Sequence, residues 1–132
     1  MARRDGFTLV ELLIVVVILG VLATLASAQF AKSRSNAYFA IVKQDLYNLA
    51  VQQEAYFGEH FAYASDLSDL RDFEKSGGVD IQITNTGAGT WAAVGTHSAL
   101  PPGGQCGVFI GAASAGMAGP ATSESIVACT GE

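Results

Sequence analysis

Arg3-Arg4-Asp5-Gly6, followed by Phe7-Thr8-Leu9-Val10-Glu11-Leu12, opens an apolar run that continues to Ala28. A basic head, one glycine, one lone carboxylate and a hydrophobic segment of membrane length stand together. From Phe7 to Ala28 the only polar side chains are Thr8, Glu11, Thr24 and Ser27. At ~1.5 Å per residue the segment makes a helix of roughly 33 Å, against a bilayer hydrocarbon core of ~30 Å. A buried core helix is the alternative, but a chain of 132 residues holds no globular partner able to cover so wide an apolar surface on all sides. Arg3 and Arg4 precede the run while Lys32 and Arg34 follow it, a weak bias towards a cytoplasmic N-terminus.

Glu11 is the residue that a plain membrane anchor does not explain. It lies about one helical turn inside the run, where an ionised carboxylate costs on the order of 3 kcal/mol at the bilayer centre and less near the interface. A positive partner is expected. Cleavage after Gly6 would place a free amine on Phe7, four residues before Glu11, in the same subunit or in a neighbour. Without such a partner, Glu11 has to snorkel to the headgroups.

Gly6 followed by FTLVELLIVVVILGVLA closely resembles the class III signal of type IV prepilins and the related pseudopilins. Basic leader, glycine at the cut, phenylalanine after it and glutamate at the fifth mature position all fall in register over roughly residues 1–31. The resemblance implies that a prepilin peptidase cuts between Gly6 and Phe7 and that the Phe7 amine is N-methylated. It implies that Glu11 pairs with the Phe7 amine of an adjacent subunit during filament assembly. Ala28 stands where many pilins have a proline, so a proline kink is absent, although Gly20, where such filaments often loosen the helix, is present. A rival reading takes Ala26-Ser27-Ala28 as a signal-peptidase site, giving a secreted domain that begins at Gln29. Against it, the n-region would then contain Phe7 to Glu11, and the helical pattern runs through the cut without a break.

Removal of the leader leaves room for one small soluble domain beside the membrane helix. The chain has 7 basic and 12 acidic side chains, net −5. Losing Arg3, Arg4 and Asp5 leaves 5 and 11, or −6. Such an acidic surface argues against a shaft that grips nucleic acid by bulk electrostatics. The 15 glycines concentrate after Ser76, and Ser76-Gly77-Gly78 marks a change from helix-like to strand-like composition.

From Gln29 to about Gly58 the pattern turns amphipathic, with Tyr38, Val42, Leu46, Leu49 and Tyr56 on one face and Lys43, Gln44, Asn48 and Glu54 elsewhere. No proline occurs before residue 101, so one helix from about Thr8 to Gly58 is sterically allowed. The aromatic series Tyr38, Phe39, Tyr47, Tyr56, Phe57, Phe61 and Tyr63 invites an electron-conduction reading, but rings of this kind ordinarily serve packing. Phe61 to Lys75 reads as a loop with a short helix capped by Ser65 or Asp66 and an apolar side of Leu67, Leu70 and Phe73. Asp66, Asp69, Asp72 and Glu74 lack the alternating spacing and glycine turn of an EF-hand loop and read as a solvated face rather than a calcium site.

Four short strands follow. Val79, Ile81 and Ile83 alternate with polar residues, Asn85 to Gly89 turns the chain, and Thr90 to Gly95 returns. Cys106 to Ile110 and Ser125 to Cys129 supply the other two. If the last two pair antiparallel, Cys106 and Cys129 fall opposite one another. A disulfide closing the 22 residues between them is worth ~3 kcal/mol in the chain-entropy model and fits an extracytoplasmic compartment. A metal site would need more ligands, and His60 and His97 have no suitable partners in sequence. The resemblance to pilins implies that such a bridge bounds a variable C-terminal loop exposed on the filament, which here would be Gly107 to Ala128. His97, beside Thr96 and Ser98, reads as a surface residue at a strand end. There is no GxSxG, HExxH or phosphate-binding glycine loop, so no enzymatic activity, cofactor or metal is expected.

The fold expected is α+β: a long N-terminal helical spine packed against a small antiparallel sheet, the pilin arrangement. Its segments are a leader (1–6), a membrane or filament-core helix (7–28), an amphipathic continuation (29–58), a loop with a short helix (59–78) and a β head (79–132). The resemblance implies a structural subunit of a type IV pilus serving adhesion, twitching motility or DNA uptake. It would reside in the bacterial inner membrane as a precursor and then in an extracellular filament. Its partners would be other pilins, the prepilin peptidase/methyltransferase and the inner-membrane assembly machinery, with no direct nucleic-acid binding by the shaft. A pseudopilin of a type II secretion system is the alternative; the acidic calcium loop expected of the major pseudopilin is not evident, which leans towards a pilin.

Overall fold

The structure, a computed structural model, describes residues 6–131. Its elements are a helix α1 (Leu9–His60) and four strands, β1 (Val79–Gly87), β2 (Thr90–His97), β3 (Cys106–Ile110) and β4 (Ala128–Cys129), with single 3-10 turns at Leu67–Asp69 and Ala112–Ser114. This is the α+β arrangement expected, a long helix with a four-stranded antiparallel sheet in the order β1-β2-β3-β4. Residues up to Arg34 and from Ser35 onward form two compact units.

In the first unit every described side chain of α1 is exposed. The large apolar ones from Leu9 to Phe30 run between 47% and 80% of full exposure. Hydrophobicity on all sides of a helix belongs to a bilayer or to an assembly, because water disfavours it at every azimuth. By length and composition the helix can cross a membrane.

In the second unit α1 has one buried face. Val42, Leu46 and Leu49 are fully buried against Ile81, Trp91, Ala93, Cys106 and Val108 of the sheet. Gly95 permits this approach, since a Cβ there would meet Val42 Cγ1 at 2.9 Å. Two polar residues share the face. The Asp45 carboxylate, 2% exposed, accepts from the Ser76 N–H at 2.7 Å and hydroxyl at 2.8 Å. The Gln53 amide, fully buried, donates to the Ala64 carbonyl and accepts from its N–H. Both of these buried polar side chains are thereby satisfied, and the chain leaving α1 is tied back at two points. The helix ends two residues beyond Gly58: the left-handed residue is Phe61, with φ 55°, whose N–H returns to the Phe57 carbonyl.

Strand pairing departs from the expected turn. A register shift between Ile83 and Asn85 lets Asn85, Thr86 and Gly87 continue in β1 opposite Ala92, Trp91 and Thr90, so only Ala88 and Gly89 turn the chain. A bulge of this kind inserts one residue and keeps the ladder going. The last strand is shorter than Ser125 to Cys129, because Ser125 is left-handed (φ 63°) and its N–H bonds the Phe109 carbonyl outside the ladder. The sheet face opposite α1 is covered too. Ala92 and Phe109 pack with Ala118 and Ala121 of the segment between β3 and β4, and Gly107 is required there because a side chain would run into the Ala118 carbonyl.

Candidate functional site

The N-terminal site is built by the first turn of α1. Thr8 and Glu11 satisfy each other: the Glu11 Oε2 atom accepts from the Thr8 N–H at 2.8 Å and from the Thr8 hydroxyl at 2.7 Å, and Thr8 Oγ1 accepts from the Glu11 N–H at 3.3 Å. This reciprocal pair is a capping box, T-x-x-E, which satisfies amide donors that a helix start leaves without partners. A carboxylate has about four acceptor positions, and both donors fall on Oε2, so Oε1 is left to take a further donor. The three-residue spacing of Thr8 and Glu11 is the signal in the sequence for this capping box. Gly6 and Phe7 are exposed and precede the helix, and the space around Gly6 is open. Arg3, Arg4 and Asp5 of the expected leader lie outside the described residues, as does the side chain of Ala28.

Cys106 and Cys129 are joined in a disulfide. They sit directly opposite one another in β3 and β4, with Gly107 opposite Ala128. Both are buried. The bridge closes the 107–128 segment, which other bonds hold down: the Gly111 N–H donates to Glu124 at 2.6 Å, Thr84 Oγ1 to the Met117 carbonyl at 2.6 Å, and Asn85 Nδ2 to Ser114 Oγ at 2.9 Å.

His97 corrects the surface assignment. It does end β2, but it is 8% exposed, stacked on Tyr38 with ring centroids 4.4 Å apart. Its Nδ1 accepts from the Ala99 N–H at 3.0 Å. The hairpin register places it over Gly78 at the entry of β1, where the absent side chain makes room for the ring.

The aromatic residues of the head form short stacks rather than one series. Tyr56 stacks on His60, and Phe57 on Tyr63, which also meets Trp91 at 6.2 Å. Tyr47 and Phe61 are exposed. Burial, reinforced by a hydrogen bond to Glu54, pushes the Tyr63 phenol up to about 12. Asp66 caps the Leu67–Asp69 turn by accepting from the Ser68 N–H, which holds its carboxyl below the usual range. Among the described residues no group of three or more His, Cys, Asp or Glu side chains is placed to hold a metal ion.

Residues 1–27 match the model of the prokaryotic N-terminal methylation motif. The chain is 36% identical over 73 residues to the type II secretion system core protein G of Pseudomonas aeruginosa, covering 55% of this chain and 51% of that protein. It is 35% identical over 68 residues to the type IV major pilin protein PilA of Myxococcus xanthus, covering 52% of this chain and 31% of that protein. The matches thus span about half the length of the first relative and about a third of the second. An N-terminal methylation motif thus opens a chain whose long helix is followed in sequence by a small antiparallel sheet, and over about half its length the chain is similar to one secretion-system pseudopilin and one type IV pilin.

Proposed function

We propose that this protein is a structural subunit of a type IV pilus, held in the inner membrane as a precursor and polymerised into an extracellular filament through residues 7–28. The observation that carries the reading is an N-terminal methylation motif leading into a helix whose apolar side chains are exposed all round. In this reading residues 1–6 are a leader cut between Gly6 and Phe7, an exposed stretch that precedes the helix. The Phe7 amine is then N-methylated.

Glu11 supplies register. Apolar helix packing is non-directional, and a subunit at the wrong depth would leave the Glu11 charge unpaired in an apolar core. Thr8 already occupies Oε2 of Glu11, and the Phe7 amine of a neighbouring subunit would take Oε1. The partners are like subunits, a prepilin peptidase/methyltransferase and an inner-membrane assembly machinery; the chain itself has no catalytic task. The similarity to the secretion-system protein favours a second reading, a pseudopilin in a short periplasmic assembly.

The test is the N-terminus and intact mass of the mature chain in a sheared cell-surface fraction. N-methylated Phe7 as first residue in that fraction supports the pilus subunit. The same N-terminus confined to the cell envelope supports the pseudopilin. A chain beginning at Gln29 overturns both.

A further inference from the structure

We propose that a groove on the Ser35–Glu132 unit receives the Phe30–Arg34 segment of a second copy of this chain, with Lys32 and Arg34 set against the carboxylates of the groove; this rests on the filament reading above.

The groove lies between α1 and the loop that follows it. One stretch, of about 520 Å³, is flanked by Tyr56, Glu59, His60 and Asp69. The next, of about 510 Å³, is flanked by Asn48, Val51, Phe73 and Glu74. The two share Gln52, Arg71 and Asp72. Residues 35–132 carry ten acidic and three basic side chains, and the acids divide sharply by what they do. Asp45 is bound to Ser76, Glu54 to Tyr63, Asp66 to Ser68, Asp80 to Lys75 and Glu124 to Gly111. Among the described residues the carboxylates of Glu59, Asp69, Asp72 and Glu74 make no hydrogen bond or ion pair, and all four line the groove. Arg71 is the one lysine or arginine lining it, which leaves an excess of negative charge there.

The complement is on the same chain. Lys32 and Arg34 are exposed and, among the described residues, make no ion pair. Phe30 is 70% exposed and, four residues before Arg34, lies on the same side of the helix. Val51, 67% exposed beside the groove, offers an apolar surface to such a ring. A cationic segment on one part of a chain and an anionic groove on another are different surfaces, so their contact between copies is heterologous. A contact of that type does not close on itself in pairs and propagates as an open helix unless the rotation closes a ring. Exposed ion pairs are individually weak, but each copy in a filament makes the contact twice, once with each surface, and linked contacts reinforce one another.

The test uses filaments assembled from an equal mixture of nitrogen-14 and nitrogen-15 chains, treated with a water-soluble carbodiimide that joins a lysine amine to a carboxylate in direct contact. The expected product is an amide between Lys32 of one isotope and Glu59, Asp69, Asp72 or Glu74 of the other, at a yield about tenfold or more above that from detergent-dispersed chains, where linked contacts are absent. As a second arm, Lys32→Glu with Arg34→Glu and, separately, Asp69→Lys with Asp72→Lys should each deplete the chain from filaments, and the four changes together should restore it. Filaments in which Lys32 links only within its own chain, or only to carboxylates outside the groove, overturn the proposal while leaving the filament reading intact. Wild-type chains that form no filament bring down both.

Discussion

Glu11 and Tyr63 show how one side chain reports its surroundings. Glu11 stands in an apolar run with only Thr8 to satisfy it, so its charge is affordable near an interface and costly deeper. Replacing it by alanine removes that cost together with the proposed register signal. Glu11→Ala is therefore expected to insert into membranes as well as wild type and yet to fall by about tenfold or more in sheared filaments, a loss of the size that breaking a desolvated charge pair produces. Immunoblots of membrane and filament fractions measure both, and normal incorporation would remove Glu11 from the mechanism. Tyr63 answers to pH. Burial first, then Glu54, raises its phenol from 10.0 to about 12. The neutral form is the one the fold prefers, so its contribution is complete below the unfolded value and is lost as pH rises from 10.0 to about 12. The fall in unfolding midpoint across that window should be shallower in Tyr63→Phe, followed by the fluorescence of the single, buried Trp91. At this scale the sequence was legible where a residue contradicts its neighbours, as Glu11 does. Asp45, Gln53 and His97 were not, because a polar side chain satisfied by a distant backbone group, as the first two are, or covered by a distant ring, as His97 is by Tyr38, looks in one dimension like any surface residue.

The elements divide in the same way. α1 was legible almost to its end, since apolar periodicity and a proline-free stretch both act locally. Its terminus was not, because tertiary bonds from Gln53 to Ala64 fix where the chain leaves, and the left-handed position falls on Phe61 rather than on Gly58. The first strand followed from alternation and the next two from short apolar runs between turn residues, but β4 keeps only Ala128 and Cys129, and two paired residues do not make a stable strand by themselves. The disulfide to Cys106 holds that edge, and with it the 107–128 segment that covers Ala92 and Phe109. Replacing both cysteines by serine should lower stability by ~3 kcal/mol. The fall is read as a shift in the urea midpoint of Trp91 fluorescence, with new protease cuts between residues 111 and 127. An unchanged midpoint would show that the hydrogen bonds from Thr84, Asn85 and Gly111 hold the segment without the bridge.

At the scale of the whole molecule, the hydrophobic surface is divided between two destinations. Residues 35–132 hide most of theirs, on both faces of the sheet, leaving a few side chains such as Val51 and Phe61 exposed, and hold their buried carboxylate and amide within the same unit. The described side chains of residues 7–34 hide none of theirs and carry no core. That division was legible, because a run without charges and a run with alternation differ in composition as well as in pattern. The choice between pilus and pseudopilus was not, since the motif common to both occupies the N-terminal residues and the relatives include one of each kind. The physical consequence is independent of that choice. A fragment beginning at Ser35 loses the exposed apolar helix but none of the core cluster, whose first member in chain order is Val42. It should stay monomeric in detergent-free buffer, because surfaces of such size are what drive association. Its net charge of −7, from ten acidic and three basic side chains, also opposes association. It should give the same Trp91 emission maximum as the full chain in detergent, while the full chain without detergent should sediment. A fragment that aggregates, or whose Trp91 emission moves to that of an exposed indole, would show that the head needs residues before Ser35 to hold its core.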